Sequence, residues 1–174
     1  MEQIISLPWE GSLQAEIQEE AAQNSDKSIF VASNVVNLVK HLREGRGLPE
    51  LMIVDSTWTL GLVSALDADL ENTDVRDVPV IVTTFKSTSA TGLLESAMNV
   101  VAEIDPLQQF TSRLPQLIAA FFAMRSALPA DGRVTAALFA PAVQDVLQTP
   151  ADDKGFFSRA MKRQDEKLAL RMHA

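Results

Sequence analysis

The 174-residue chain contains no cysteine. It therefore has no disulfide framework, no thiolate metal site and no cysteine nucleophile. This composition is typical of a reducing compartment, and we expect the bacterial cytoplasm. Histidine is also scarce: His41 and His173 lie far apart and have no ligand-like neighbours, so neither a zinc site nor a catalytic dyad is supported. We predict no metal and no cofactor.

Long apolar segments are absent as well. No segment approaches the run of about 18 apolar residues that spans a bilayer. The first residues, MEQIISLPWEG, have an acid at position 2 and no small-residue cleavage site, which predicts a soluble, unexported protein without membrane insertion. The glycines form no GxGxxG or GxxxxGK run, and no GxSxG motif is present. These absences favour a protein that is not an enzyme.

Acidic residues outnumber basic ones, 23 Asp and Glu against 15 Lys and Arg, for a net charge of −8. This balance argues against nucleic acid as a partner. The charge is unevenly distributed, because residues 154–174 contain six basic and two acidic residues, +4, which leaves −12 for residues 1–153. A membrane surface, a nucleic acid or an acidic protein are all open to the basic segment, and we expect it to dock on an acidic protein surface because the rest of the chain is strongly acidic.

Short apolar runs alternate with segments of helical period over residues 1–128. The predicted strands are residues 3–7, 28–33, 50–55, 78–84 and 100–104. The predicted helices between and after them are residues 13–23, 35–43, 60–70, 91–98 and about 106–128. Because the strands are rich in Val and Ile on both faces, we predict a five-stranded parallel, doubly wound, flavodoxin-like α/β sandwich of three layers.

A helical extension follows, so we divide the chain at residues 1–127 and 128–174. Residues 134–148 predict an apolar helix that Pro141 is expected to kink or interrupt, and residues 156–172 predict a last helix with basic residues around an apolar stripe. Residues 117–128 (LIAAFFAMRSAL) are unusually apolar, so we expect another part of the protein to pack on this helix and bury it. The C-terminal helices do so either by folding back or by exchange in a homodimer, and the homodimer is our prediction.

Two local motifs carry a family resemblance. Leu51–Ser56 (LMIVDS) ends a buried strand on Asp55, and residues 78–84 (VPVIVTT) end the next strand on Thr84. With the five-unit alternation, these motifs resemble the receiver domain of two-component response regulators over about residues 1–127. The resemblance implies that Asp55 is the phospho-acceptor and that Thr84 is the switch hydroxyl.

The sequence departs from the family at the remaining positions of the phosphorylation site. Pro8 and Trp9 stand where the family has two Mg²⁺-binding acids, with Glu10 one step late, and Asp105 (Glu103 in a second register) stands where the family has a lysine. Phosphoryl transfer to a carboxylate depends on Mg²⁺ and a cation. We therefore predict a pseudo-receiver that retains the fold and has lost ordinary phosphorylation.

Other side chains are candidates to line the pocket around Asp55, where the receiver family has its metal-binding acids. Trp9 and Trp58 follow strands and are predicted to close over it. Lys86, two residues beyond Thr84, is a candidate for the missing positive charge. Asp55 itself has a simpler role open to it, as a strand-end residue that hydrogen-bonds the backbone of the following turn.

The leading hypothesis is a bacterial signalling protein whose partner is a histidine kinase or a downstream effector. It would bind through the face formed by the fourth helix, fifth strand and fifth helix. A second hypothesis is a working phospho-switch that uses Asp55, Thr84 and Glu10. A third is a small doubly wound enzyme, which predicts a roomy polar pocket near Asp55 and Thr84.

Overall fold

The structure, a computed structural model, describes residues 3–9, 13–45, 47–71, 73–84, 90–104, 110–148 and 154–173. The strands are β1 (Ile4–Leu7), β2 (Ile29–Val31), β3 (Leu51–Asp55), β4 (Pro79–Thr83) and β5 (Asn99–Ile104). The helices are α1 (Gln14–Asn24), α2 (Val35–Glu44), α3 (Thr59–Ala68), α4 (Ala90–Ala97), α5 (Phe110–Ala127), α6 (Ala136–Gln148) and α7 (Lys154–Met172). Short 3₁₀ turns cover Ser56–Trp58 and Asp74–Asp77.

All five strands are parallel and lie in the order β2-β1-β3-β4-β5. This is the strand order of the flavodoxin-like doubly wound fold, so the predicted fold class is confirmed. The strands formed where the sequence predicted them because β-branched residues in short runs fit a sheet that helices cover on both faces. Every residue of β1 and β3 is buried.

Alternate residues of β1, β3 and β4 belong to two separate hydrophobic cores. In β3, Leu51 and Ile53 face the core beneath α1 and α5, whereas Met52 and Val54 face the core beneath α2, α3 and α4. The period of two in the strand dictates this division. Asp55 shares the parity of Leu51 and Ile53, and its carboxylate accepts a hydrogen bond from α1, so it faces the α1 side.

The two C-terminal helices add a further layer to the α1 and α5 side. Val134, Phe139 and Ala160 are fully buried members of the core that α1 and α5 form with the sheet. Phe139 meets Phe121 of α5 edge to face, with ring centroids 6.0 Å apart. In this structure the extension thus folds back on its own chain and supplies the cover that the apolar α5 requires.

Helix α6 contains a proline, for which the sequence predicts a kink or an interruption. Pro141 lies inside the helix, which continues to Gln148, so the helix is not interrupted there. Pro141 is the sixth residue of α6, so its missing N–H deprives one carbonyl, that of Ala137, of its helical donor. Both residues are exposed, so water can hydrogen-bond that carbonyl.

The described part of the chain has no helix of the length and apolar character needed to cross a membrane.

Candidate functional site

Asp55 ends β3 at the carboxyl edge of the sheet and is completely buried. Its Oδ1 accepts a hydrogen bond from the backbone N–H of Thr57 at 3.0 Å. This bond caps the 3₁₀ turn that follows the strand, which is the simpler of the two roles that the sequence allows for Asp55. A buried carboxylate needs more than one such donor, because its desolvation is costly.

Two side chains supply the other donors. Gln14 Nε2 and Thr83 Oγ1 each donate to Asp55 Oδ2 at 2.9 Å. Gln14 is 4% exposed and Thr83 is fully buried. Asp55 therefore accepts three hydrogen bonds from residues that the structure describes, and none of these three donors is a cation.

Gln14 connects Asp55 to the chain that follows β1. Its Oε1 accepts a hydrogen bond from the backbone N–H of Trp9 at 3.0 Å, while its Nε2 donates to Asp55. Because Gln14 is the first residue of α1, the side chain spans the gap between the helix and the sheet edge. The amide group thus covers the carboxylate, at the edge of the sheet where α/β proteins bind ligands.

Sequence reasoning missed Gln14. The usable signal was a polar residue at the start of a helix, on the same face as the apolar residues Ile17 and Ala21. An uncharged amide belongs to no motif, and only the closeness of α1 to β3 makes it a partner of Asp55.

Thr83, and not the predicted Thr84, places its hydroxyl on Asp55. Asp55 and Thr83 are direct neighbours across β3 and β4, so their side chains project from the same face of the sheet. Thr84 lies one residue beyond, half-buried, and its backbone N–H donates to Ile104 O at 2.9 Å. Strand register, which two adjacent threonines leave ambiguous in the sequence, decides between them.

The two tryptophans lie near the end of β1, but among the described residues it is Gln14 whose side chain covers Asp55. Trp58 packs partly buried against the core beneath α2, α3 and α4, and its indole N–H donates to Pro8 O at 2.8 Å. Trp9 is 42% exposed. Trp58 thus ties the turn after β3 to the end of β1, whereas Trp9 presents part of its ring to the surface.

The remaining predicted pocket residues, Glu10, Lys86 and Asp105, lie outside the described residues. Glu103, the second candidate for the family's lysine position, is exposed and hydrogen-bonds Glu95 of α4. Partial burial, together with the hydrogen bond and the negative charge of Glu95, raises the pKa of Glu103. Its interactions are with α4, away from the face that Asp55 occupies.

The geometry limits the chemistry available to Asp55. A phosphoryl donor would have to displace the Gln14 amide, and neutralisation of the transferred group would require cations. Over the ranges that the structure describes, no group of three or more His, Asp or Glu residues could hold a metal ion. Three surface cavities of 670, 540 and 320 Å³ lie elsewhere, and neither Asp55 nor Thr84 lines any of them.

A second feature is the ionic contact between the basic stripe of α7 and the acidic face of α1. Arg159 pairs with Glu20 at 2.5 Å, Arg163 with Glu20 at 3.2 Å, and Lys167 with Glu16 at 2.9 Å and Glu19 at 3.2 Å. The Glu16 and Glu20 side chains are only 8% and 7% exposed beneath these cations. The acidic surface on which the basic stripe docks in this structure is therefore α1 of the same chain.

The carboxylates of α1 change the pKa of Lys167. Burial lowers the pKa of its ammonium, but the hydrogen bonds and negative charges of Glu16 and Glu19 outweigh burial and leave the pKa raised. Arg163 also donates to Gln23 of α1. The helix that carries Gln14 is thus held on its outer side by α7.

Comparison with known proteins gives a likeness of fold alone. No protein-family model matches the chain, and no curated protein matches it. Among solved structures, a fusion of the trimeric coiled coil of yeast Spc42 to a second structure is similar, with a TM-score of 0.53 and 14% sequence identity. The match covers 100% of this chain and 98% of the other.

Proposed function

We propose that this protein is a pseudo-receiver, a receiver-like domain that signals by binding another protein and does not accept a phosphoryl group. The observation that carries the proposal is the closed hydrogen-bond network of Asp55. The strand order supports it as well, because β2-β1-β3-β4-β5 is the order found in receiver folds.

Access to Asp55 is the first step of the argument. To reach Oδ2, a phosphodonor must break the hydrogen bonds from Gln14 and Thr83, both to a buried carboxylate. Hydrogen bonds to charged groups contribute about 1.5–3 kcal/mol each. Opening the site therefore costs about 3–6 kcal/mol before any chemistry begins, which lowers the reactive population about 100-fold or more.

Electrostatics is the second step. The donors that the described residues supply to Asp55 are an amide, a hydroxyl and a backbone N–H. These neutral groups satisfy the carboxylate in its resting state, but they do not balance the charge of an incoming phosphoryl group as Mg²⁺ and a lysine would. The network is suited to holding one conformation and poorly suited to phosphoryl transfer.

The surface for a partner differs from the one that the sequence suggests. Helix α6 packs against β5 and α5, so it covers part of the face formed by α4, β5 and α5. Outside α7, the most exposed large apolar side chains of the described residues are Val36 of α2 and Leu60 of α3, at 78% and 71%. We place the partner contact on α2 and α3.

Phosphorylation is tested by incubating the purified full chain with Mg²⁺ and acetyl phosphate and measuring its intact mass. We expect no phosphorylated species, and we expect Asp55→Asn to behave like the natural chain. A mass increase of one phosphoryl group that is lost in Asp55→Asn contradicts the proposal. A receiver domain that acetyl phosphate is known to phosphorylate, treated in parallel, shows that the phosphodonor is active.

Partner binding is tested by capture from a bacterial lysate with the natural chain and with Val36→Asp and Leu60→Asp. We expect a signalling protein, either a histidine kinase or an effector, to be retained by the natural chain and lost by the α2 and α3 variants. Leu93→Asp, on the half-exposed surface of α4, is the matched control. Equal capture by all four chains contradicts the placement of the surface.

The homodimer through the C-terminal helices stays a prediction. Exchange of α7 between two copies would preserve every α1–α7 ion pair, because each pair joins residues of one helix to residues of the other. Light scattering of the full chain measures the mass directly. A mass of one chain at all concentrations rejects the dimer and leaves the fold-back seen in the structure.

A further inference from the structure

Helix α7 does more than cover α1, since it also forms one wall of a groove at the carboxyl edge of β1 and β2. The groove has a volume of 540 Å³, within the 300–1,000 Å³ range of small-molecule sites. Its other walls are the segment after β1, the end of β2 and the first turns of α1. The groove lies at the sheet edge where ligands of doubly wound proteins bind. Residues of α7, in the C-terminal extension, form its remaining wall.

Two large apolar side chains of this groove are partly exposed. Trp9 is 42% exposed and Leu168 of α7 is 49% exposed, and both line the groove. Val31 and Ala32 add apolar surface from the end of β2. An indole ring that reaches solvent beside an aliphatic side chain offers a flat surface on which a second aromatic ring packs well.

The charges of the groove leave one cation unmatched. Lys167 is neutralised by Glu16 and Glu19. Arg171, one helical turn further along α7, lines the same groove and makes no ion pair with any residue that the structure describes. A guanidinium is suited to bind a planar anionic group through paired hydrogen bonds.

We propose that this groove binds a small aromatic anion, with its ring against Trp9 and Leu168 and its acidic group on Arg171. The site does not depend on the proposed signalling function, because Asp55 takes no part in it. A link exists nevertheless: the backbone N–H of Trp9 donates to Gln14, and Gln14 donates to Asp55. A ligand on Trp9 therefore lies one hydrogen bond away from the Asp55 network.

The test uses the full chain and two probes that differ in charge. 1-Anilinonaphthalene-8-sulfonate is an aromatic anion, and N-phenyl-1-naphthylamine is an uncharged relative. Both gain fluorescence in an apolar site. We expect the anion to saturate one site per chain and to bind more tightly than the neutral probe.

Matched variants separate this groove from general adsorption. Arg171→Gln should weaken the anion about tenfold, the loss expected for a charge-assisted contact, and should leave the neutral probe unchanged. Lys162→Gln removes the same charge from α7 outside the groove and should leave both probes unchanged. Trp9→Ala should weaken both probes, and Trp9→Phe, which keeps a ring, should restore most of the binding.

Three outcomes overturn the proposal. The first is equal binding of the anion by Arg171→Gln and Lys162→Gln, and the second is binding that does not saturate at one site. The third is unchanged binding in Trp9→Ala. Circular dichroism of each variant shows whether the chain is folded. Arg171 is exposed, so its substitution is not expected to disturb the fold.

Discussion

The hydrogen bond between Gln14 and Asp55 is open to a quantitative test. Gln14→Ala removes a 2.9 Å hydrogen bond to a buried carboxylate, which is expected to cost about 1.5–3 kcal/mol of folding free energy. Asp55→Ala leaves three donors without their acceptor, two of them buried, and is expected to cost about 2–5 kcal/mol. Losses of this size are a large part of an ordinary stability of about 5–15 kcal/mol.

The chain offers a close control in Gln18, one helical turn after Gln14. Gln18 is also buried, but neither polar atom of its amide has a hydrogen-bond partner among the residues that the structure describes. Gln18→Ala removes an unsatisfied buried amide, so it is expected to cost much less than Gln14→Ala or to stabilise the fold. The pair therefore separates the loss of a hydrogen bond from the loss of side-chain volume.

Urea unfolding followed by circular dichroism measures these differences. With a slope of about 2 kcal/mol/M, a loss of 2 kcal/mol lowers the midpoint by about 1 M. The double variant Gln14→Ala with Asp55→Ala should give a coupling energy of about 1.5–3 kcal/mol. A coupling below about 0.5 kcal/mol, or equal losses in Gln14→Ala and Gln18→Ala, refutes the inference that Gln14 holds Asp55.

Three further predictions concern other parts of the fold. Phe139→Ala should cost about 3–5 kcal/mol in urea unfolding, because a fully buried ring leaves a cavity; a loss below about 1 kcal/mol would show that α6 does not pack there. Lys167→Ala should destabilise the chain at neutral pH by leaving two α1 carboxylates poorly paired. Because the pKa of Lys167 is raised in the folded chain, the difference in unfolding free energy between the natural chain and Lys167→Ala is complete below the ordinary lysine pKa. It disappears as pH rises through the pKa of Lys167 in the folded chain. A difference in unfolding free energy that does not change with pH contradicts this. Glu103→Gln should stabilise the chain by up to about 1 kcal/mol at pH 7, because the raised pKa of Glu103 makes its ionisation unfavourable beside Glu95, and the gain should vanish in melting curves recorded at acidic pH.

Helix α1 joins the two parts of the molecule on which these predictions depend. Gln14 on its inner side contacts the sheet edge at Asp55, whereas Glu16 and Glu20 near its outer side contact α7. Helix α1 therefore contacts both α7 and the carboxylate of Asp55. The same helix also lines the groove beside Trp9.

The candidate site was only partly predictable from the sequence. The location of Asp55 at a strand end was evident, because a buried apolar run stops there. The residue that covers Asp55 was not evident. Tryptophans are the expected residues to fill an apolar pocket, whereas in the structure the amide of Gln14 hydrogen-bonds the carboxylate. Gln14 and Asp55 are 41 positions apart in the chain, and no local pattern links them.

The helices and strands, their order and the parallel sheet were all predictable from local sequence patterns. These follow from local periodicity, since apolar runs buried on both faces make strands and one-sided apolar patterns make helices. The separation of an acidic body from a basic last helix was equally plain. Three contacts became visible only in the folded chain: Thr83 donates to Asp55, Gln14 covers Asp55, and the basic helix lies on α1. Those contacts depend on strand register and on how helices pack, which join residues from distant parts of the chain.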